Sequence, residues 1–362
     1  MYLSKRASIP IWKAWLIRVA AVILALIICG GVAFLLIEKL QKNPGKIGDF
    51  YYAFIKGAFS SPRRIWKFLK ELSVLLCIAL ALTPSFRMRF WNIGGEGQTL
   101  IGVLSAIAVA FYLGGKVPEW LLLIMMLIAA LAAGALWAVI PAFFRARWGT
   151  NETLFTLMMN YVATYVVGYF LIIWVPSGSS NLGKLKYGKL PVIVNEQLLT
   201  IIVVLLLTVG LFIYLNYTKH GYEISVVGES ARTAKYIGIN EAKVIIRTMI
   251  LSGALCGMAG YLIAAGADQT VTTESAGGQG FTAILVAWLG KFNPLFMILT
   301  AGLIQLLDTG AGQISQDFGV NNALPNVIVG IVLFFIIGSE FFINFQIHFQ
   351  HHDKSREKEA VK

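Results

Sequence analysis

Asn92, Glu96 and Gln98 stand close together in the stretch NIGGEGQ, with Gly94, Gly95 and Gly97 among them. Two amides and a carboxylate bind polar groups through hydrogen bonds. The glycines are expected to let the backbone leave helical geometry beside the carboxylate. A charge at a bilayer centre costs about 2.5–3.5 kcal/mol on insertion scales, so Glu96 is expected to face a protein interior or a cavity. A second reading places Glu96 near the membrane surface, paired with Arg87 or Arg89. Asn160 and Gln279 are further amides in apolar surroundings. With Asn92, Glu96 and Gln98 they form the candidate lining of a path for a polar solute. Gln269, Glu274, Gln305 and Asp308 are secondary candidates, and Phe90, Trp91, Tyr161 and Trp288 offer faces for stacking. GTNE at 149–152 admits a structural reading beside a functional one: Asn151 caps a helix and Glu152 suits its dipole.

A second polar stretch, TKHGYEISVVGESARTAKYIGINEAK at 218–243, is a mixed-charge island in a very apolar chain. Spacing predicts a helix over 225–237, with Val227, Ala231 and Ala234 on one side and a Glu229–Arg232 pair on another. Gly238 suits the position after that helix, and Asn240 can cap the next one. The next helix carries Ser252, Gly253, Ala254, Gly257 and Gly260 along it. A short helix of this kind, showing small residues on one face, is expected to dock into another protein.

Other chemistries are missing from the pattern. GSSNLGKL at 178–185 has the Walker spacing to Lys184 but puts Leu185 where a hydroxyl is required, with no strand before it. His348, His351 and His352 read as a polar tail rather than a metal site. Cys29, Cys77 and Cys256 lie in apolar runs without metal or redox spacing. No hydrolase pattern stands out, so no catalytic or metal-binding residue is assigned and no cofactor is expected on this chain.

The elements that position these residues follow from composition. The chain has 362 residues, 57% hydrophobic and 13% charged, with a mean hydropathy of +0.74. Soluble domains carry about 25% charged residues. The net charge of +12 sits at the ends of apolar runs, which reads as topology signals and lipid contact, not nucleic-acid binding. The expected fold is all-α, a polytopic membrane protein of about ten transmembrane helices with short half-helices, each span needing roughly 20 apolar residues. Spans are expected at 16–37, 72–86, 98–114, 121–144, 152–175, 198–217, 244–267 and 323–347. A half-helix is expected at 281–289 and a short span at 294–305, followed by a polar turn with Asp308, Gly310, Gly312 and Asp317. Residues 1–362 form one transmembrane domain in this reading. Residues 1–15 are a basic cytoplasmic N-terminus, 38–71 an outer interfacial segment, 218–243 a cytoplasmic loop and 348–362 a charged cytoplasmic tail.

The island, running into LSGALCGMAG, closely resembles the coupling loop of ABC importer permeases, in the branched group that carries simple sugars, branched amino acids and nucleosides. NIGGEGQ and GTNE resemble the nucleoside and simple-sugar branch of that group, nearest the guanosine-type permeases. The resemblance covers residues 72–345 and implies the type II-like importer fold. It implies that Gly221, Val227, Gly228, Glu229, Ala231, Arg232, Ala234, Lys235, Gly238 and Ile239 engage a separate cytoplasmic ATPase, which holds ATP and Mg. It further implies a second related permease, forming a heterodimer, an external solute-binding protein or lipoprotein, and a prokaryotic plasma membrane. Nucleoside is the favoured cargo and simple sugar the second. An ion-coupled secondary transporter is the reading from another class.

Overall fold

The computed structural model describes residues 2–5, 10–175, 182–321 and 323–348. Fourteen α-helices follow one another among these residues: α1 (Ile11–Leu36), α2 (Glu38–Lys42), α3 (Ile47–Phe59), α4 (Pro62–Arg87), α5 (Gly95–Leu113), α6 (Glu119–Trp148), α7 (Glu152–Trp174), α8 (Leu198–Tyr217), α9 (Lys219–Glu229), α10 (Ala231–Tyr236), α11 (Glu241–Ile263), α12 (Gln279–Leu289), α13 (Pro294–Phe318) and α14 (Ala323–Asn344). Two four-residue strands, β1 (Tyr2–Lys5) and β2 (Phe345–His348), pair antiparallel. Most of the tail at 348–362, and residues 178–181 of the Walker-like stretch, lie outside the described residues.

Among the described residues eight helices are long and apolar enough to cross a membrane. Two further elements complete the ten expected segments. The first is α4, whose opening turns carry Arg63, Arg64, Lys67 and Lys70 before a buried apolar stretch. The second is α12, whose 11 residues make it about 16 Å long, half a bilayer core. The interfacial segment expected at 38–71 is α2, a 3-10 turn, α3 and the start of α4. The turn expected around Asp308 does not occur, because α13 continues through it to Phe318. Hydropathy reads that stretch as a break. The polar groups are instead paired within the protein, Lys56 Nζ donating to Asp317 Oδ2 at 2.8 Å and Gln313 Nε2 to Asp317 Oδ1 at 2.7 Å.

The chain divides into two compact units. The first comprises residues 1–60 and 307–362. Its core is built on Ala25, Cys29 and Ala33, spaced by four along α1, with Phe50 and Phe54 of α3 and Ile328 and Val332 of α14. Arg18 and Glu340 form an ion pair at 2.6 Å inside it.

The second unit, residues 61–306, holds the candidate site. Here α11 packs against α6, α5 and α4. Its small residues make that close packing possible: a Cβ on Gly257 would stand 2.1 Å from the Ala130 carbonyl of α6, and one on Gly253 would stand 2.3 Å from the Gly134 carbonyl. The small-residue face foreseen for this helix is therefore used inside the chain, as close backbone approach in a membrane requires.

Candidate functional site

The NIGGEGQ stretch spans the end of the turn between α4 and α5 and the first turn of α5, and its amides hold that turn shut. Asn92 and Gln98 exchange hydrogen bonds, Gln98 Nε2 donating to Asn92 Oδ1 at 3.1 Å and Asn92 Nδ2 to Gln98 Oε1 at 3.3 Å. Asn92 also accepts from the Gly94 amide at 3.0 Å and donates to Ser252 Oγ of α11 at 3.2 Å. From α7, Asn160 Oδ1 accepts from the Gly97 amide and Asn160 Nδ2 donates to the Ile93 carbonyl, both at 2.9 Å. Asn92, Gln98 and Asn160 are buried, and all three side-chain amides take part in this latch. Gly97 is needed for close approach: a Cβ there would lie 2.9 Å from Asn160 Cα. Gly95 and Gly97 lie inside α5, so the departure from helical geometry expected at these glycines is confined to the turn before Gly95.

Glu96 pairs with neither Arg87 nor Arg89. Its two oxygens accept from the amides of Gly278 at 2.8 Å and Gly280 at 2.7 Å, at the first turn of α12. A helix start presents unsatisfied amides, and a carboxylate satisfies them while complementing the dipole. The half-helix is thus capped by a residue 182 positions away in sequence. Gly280 accommodates this contact, since a Cβ there would stand 2.3 Å from the Glu96 amide nitrogen. Gln279, between the two capping amides, is half-buried, and its Oε1 meets no donor among the described residues.

GTNE forms the corner between α6 and α7. Gly149 ends α6 at φ 66°, Asn151 Oδ1 accepts from the Leu154 amide at 3.2 Å, and Glu152 meets Arg145 at 3.3 Å. These are the capping roles that the sequence suggests for Asn151 and Glu152.

The island folds as two helices, not one. Ser230 adopts an extended backbone after α9, and its Oγ caps α10 by accepting from the Thr233 amide at 3.3 Å. This break separates Glu229 from Arg232, which do not pair. Gly238, at φ 81°, follows α10, and Asn240 caps α11. Gly221, Val227, Gly228 and Ala234 are buried within the chain, and Ile239 is half-buried. Glu229, Ala231, Arg232, Lys235 and Gly238 are exposed. Gly228 abuts α4 so closely that a Cβ would stand 2.1 Å from the Arg87 carbonyl. Glu223 of α9 accepts from Arg247 Nη2 of α11 at 2.8 Å, which holds its carboxyl below the usual range. The free tip is Tyr236, 92% exposed between Lys235 and Ile237. Tyr236 is not among the residues that the resemblance points to; its signal in the sequence is an aromatic ring within a polar island.

Tyr161, singled out from the sequence, is the first member of a tyrosine ladder on α7. Tyr161, Tyr165 and Tyr169 recur every four residues, all are exposed, and no hydroxyl among them meets a partner within the described residues.

A family model described as branched-chain amino acid transport system / permease component matches residues 64–337. The glucose ABC transporter permease protein TsgB13 of Haloferax volcanii is 28% identical over 96% of this chain and 93% of its own. The guanosine ABC transporter permease protein NupP of Bacillus subtilis is 29% identical over 90% and 93%. The nucleoside ABC transporter permease protein NupB of Lactococcus lactis is 28% identical over 77% and 80%.

Proposed function

Because the chain belongs to the branched-chain amino acid transport system permease family, we propose that it is the membrane-spanning subunit of an ATP-driven ABC importer that brings nucleosides into the cell. Two of the three relatives above are named for guanosine or nucleoside, which supports that cargo; the one named for glucose keeps simple sugar as the second reading. The ATP and Mg belong to a separate cytoplasmic ATPase. A related second permease, in a heterodimer, and a solute-binding protein or lipoprotein complete the assembly in a prokaryotic plasma membrane. Pairing of β1 with β2 supports both chain ends on one side, which we read as the cytoplasmic one.

The observation that carries the mechanism is a continuous set of close contacts from the exposed tip to the half-helix. The ATPase engages Tyr236 and its exposed neighbours on α10. Motion passes through α9, which Gly228 keys to α4 and Glu223 ties to α11. From α11 it reaches α5 by direct packing and by the Ser252–Asn92 hydrogen bond, and the Glu96 carboxylate carries it to α12. Closure of the ATPases thereby moves the start of α12, where Gln279 meets the path.

The α7 tyrosines line that path. Three phenol hydroxyls facing hydrocarbon without partners are costly, whereas a wet path satisfies them and offers rings on which a planar base stacks. Cysteines introduced singly at 161, 165 and 169 are expected to react with a membrane-impermeant thiol reagent, with substrate slowing the reaction. A cysteine at Tyr165 that stays inert in the active complex contradicts this lining.

Co-purification of the chain from its native membrane in mild detergent tests the assembly. Stoichiometric recovery of an ABC ATPase and a second permease is expected. A solute-binding lipoprotein in the set supplies the protein on which nucleosides are compared with sugars. Recovery of the intact chain alone, with uptake driven by an ion gradient, contradicts the proposal and favours the secondary transporter.

A further inference from the structure

A cleft of about 490 Å³ lies between the C-terminal ends of α4 and α12 and the side of α9. It is within the size range of small-molecule sites. Its walls carry Arg87, Arg89 and Lys291 against the single carboxylate of Glu229. Trp91 and Trp288 also line it, 50% and 42% exposed. Arg87 is engaged, its Nε donating to the Phe292 carbonyl at 3.1 Å and its Nη1 to Asn216 Oδ1 at 3.2 Å. The side chains of Arg89 and Lys291 have no hydrogen bond or ion pair among the described residues.

The backbone marks the same place. Four non-glycine residues among those described have positive φ, and three of them line this cleft: Arg89 at 59°, Lys291 at 51° and Phe292 at 54°. Each follows a helix end, a position where glycine is the unstrained choice. Strained positions of this kind cluster at binding sites. At two separate helix ends this chain places a basic residue there instead, beside the same two indoles. Helix C-termini favour cations in general, which explains one basic residue at each end but neither the strained positions nor the tryptophans.

We infer that this cleft binds an aromatic phosphate, such as a nucleoside monophosphate. Arg89 and Lys291 take the phosphoryl group and Trp91 and Trp288 stack on the base. Glu229 accepts from the sugar hydroxyls. Occupancy wedges α9 against α4 and so restrains the coupling segment. That consequence rests on the importer reading above, with the cleft on the cytoplasmic side; the binding itself does not.

The test uses the full chain with its co-purifying subunits in phosphatidylcholine nanodiscs and radiolabelled guanosine 5′-monophosphate. Arg89→Gly and Lys291→Gly remove the cations while relieving the positive-φ backbone, so the double variant is expected to fold with unchanged or higher Tm. Saturable binding to the wild type, weakened at least about tenfold in the double variant and not displaced by guanosine, is expected. Absence of saturable binding, equal binding by the variant, or equal displacement by guanosine overturns the site. Loss of nucleotide binding when phosphatidylglycerol replaces phosphatidylcholine assigns the cations to lipid phosphate and overturns a soluble ligand.

Discussion

Replacing Glu96 by alanine is expected to abolish uptake while leaving the chain in the membrane. The carboxylate accepts two amide hydrogens at the start of α12, at 2.8 and 2.7 Å. Leaving a buried amide unsatisfied costs about 1–3 kcal/mol; Gly280 is buried and Gly278 half-buried, so stranding both costs at most about 6 kcal/mol. Loss of about 3 kcal/mol from one state is a shift on the order of 100-fold in its population. Water entering a substrate path recovers part of this cost for stability. It does not recover the attachment of α12 to α5, and attachment is what the proposed mechanism requires. Glu96→Gln retains one acceptor and turns an amide donor toward a backbone donor, so an intermediate loss is expected. Uptake rates and Tm in detergent check both variants. Near-normal uptake by Glu96→Ala would show that the half-helix is not driven through this carboxylate.

Gly228→Ala is expected to uncouple ATP hydrolysis from uptake. A single methyl group would lie 2.1 Å from the Arg87 carbonyl, too close for any real contact, so α9 must shift from α4. Overpacking of this kind costs about 1–3 kcal/mol. Bulkier changes such as Gly228→Trp, or a charge reversal at Glu229, are expected to abolish uptake outright. Tyr236→Ala separates docking from transmission. At 92% exposure the ring contributes little to the isolated fold, and surface changes stay within about ±0.5 kcal/mol. Gly228→Ala should therefore still co-purify with the ATPase but lose substrate-stimulated hydrolysis, whereas Tyr236→Ala should lose the ATPase itself. Identical behaviour of the two variants would remove the distinction between an outward tip and an inward key.

The sequence carries local information well and distant pairing poorly, and particular residues show why. The spans and the half-helix are legible because membrane burial of a helix demands long apolar runs. Gly238 and Asn240 were legible because end-of-helix chemistry depends on neighbours. NIGGEGQ stood out by composition, yet its amides could be read as lining a path. Asn92 and Gln98 bond to each other within the stretch, but Asn160 and Ser252, which tie it to α7 and α11, are 63 or more residues away, and no spacing rule reaches that far. The capping of α12 by Glu96 was hidden for the same reason. The polar end of α13 looked like a turn because hydropathy counts Asp317 as exposed, whereas it is paired with Lys56 and Gln313. The apolar side of the island suggested a surface for a partner. Val227 and Ala234 of that side face the chain itself, while Ala231 and Tyr236 stay outside.

ATP-dependent uptake by the purified complex reconstituted in proteoliposomes tests the central claim most directly. The chain is assembled with its ATPase, its second permease and its solute-binding protein, and labelled nucleoside is supplied on the binding-protein side. Uptake that needs ATP inside, persists with ionophores present and stops with a hydrolysis-deficient ATPase is predicted. Uptake that proceeds without ATP and collapses when the ion gradient is dissipated would contradict it.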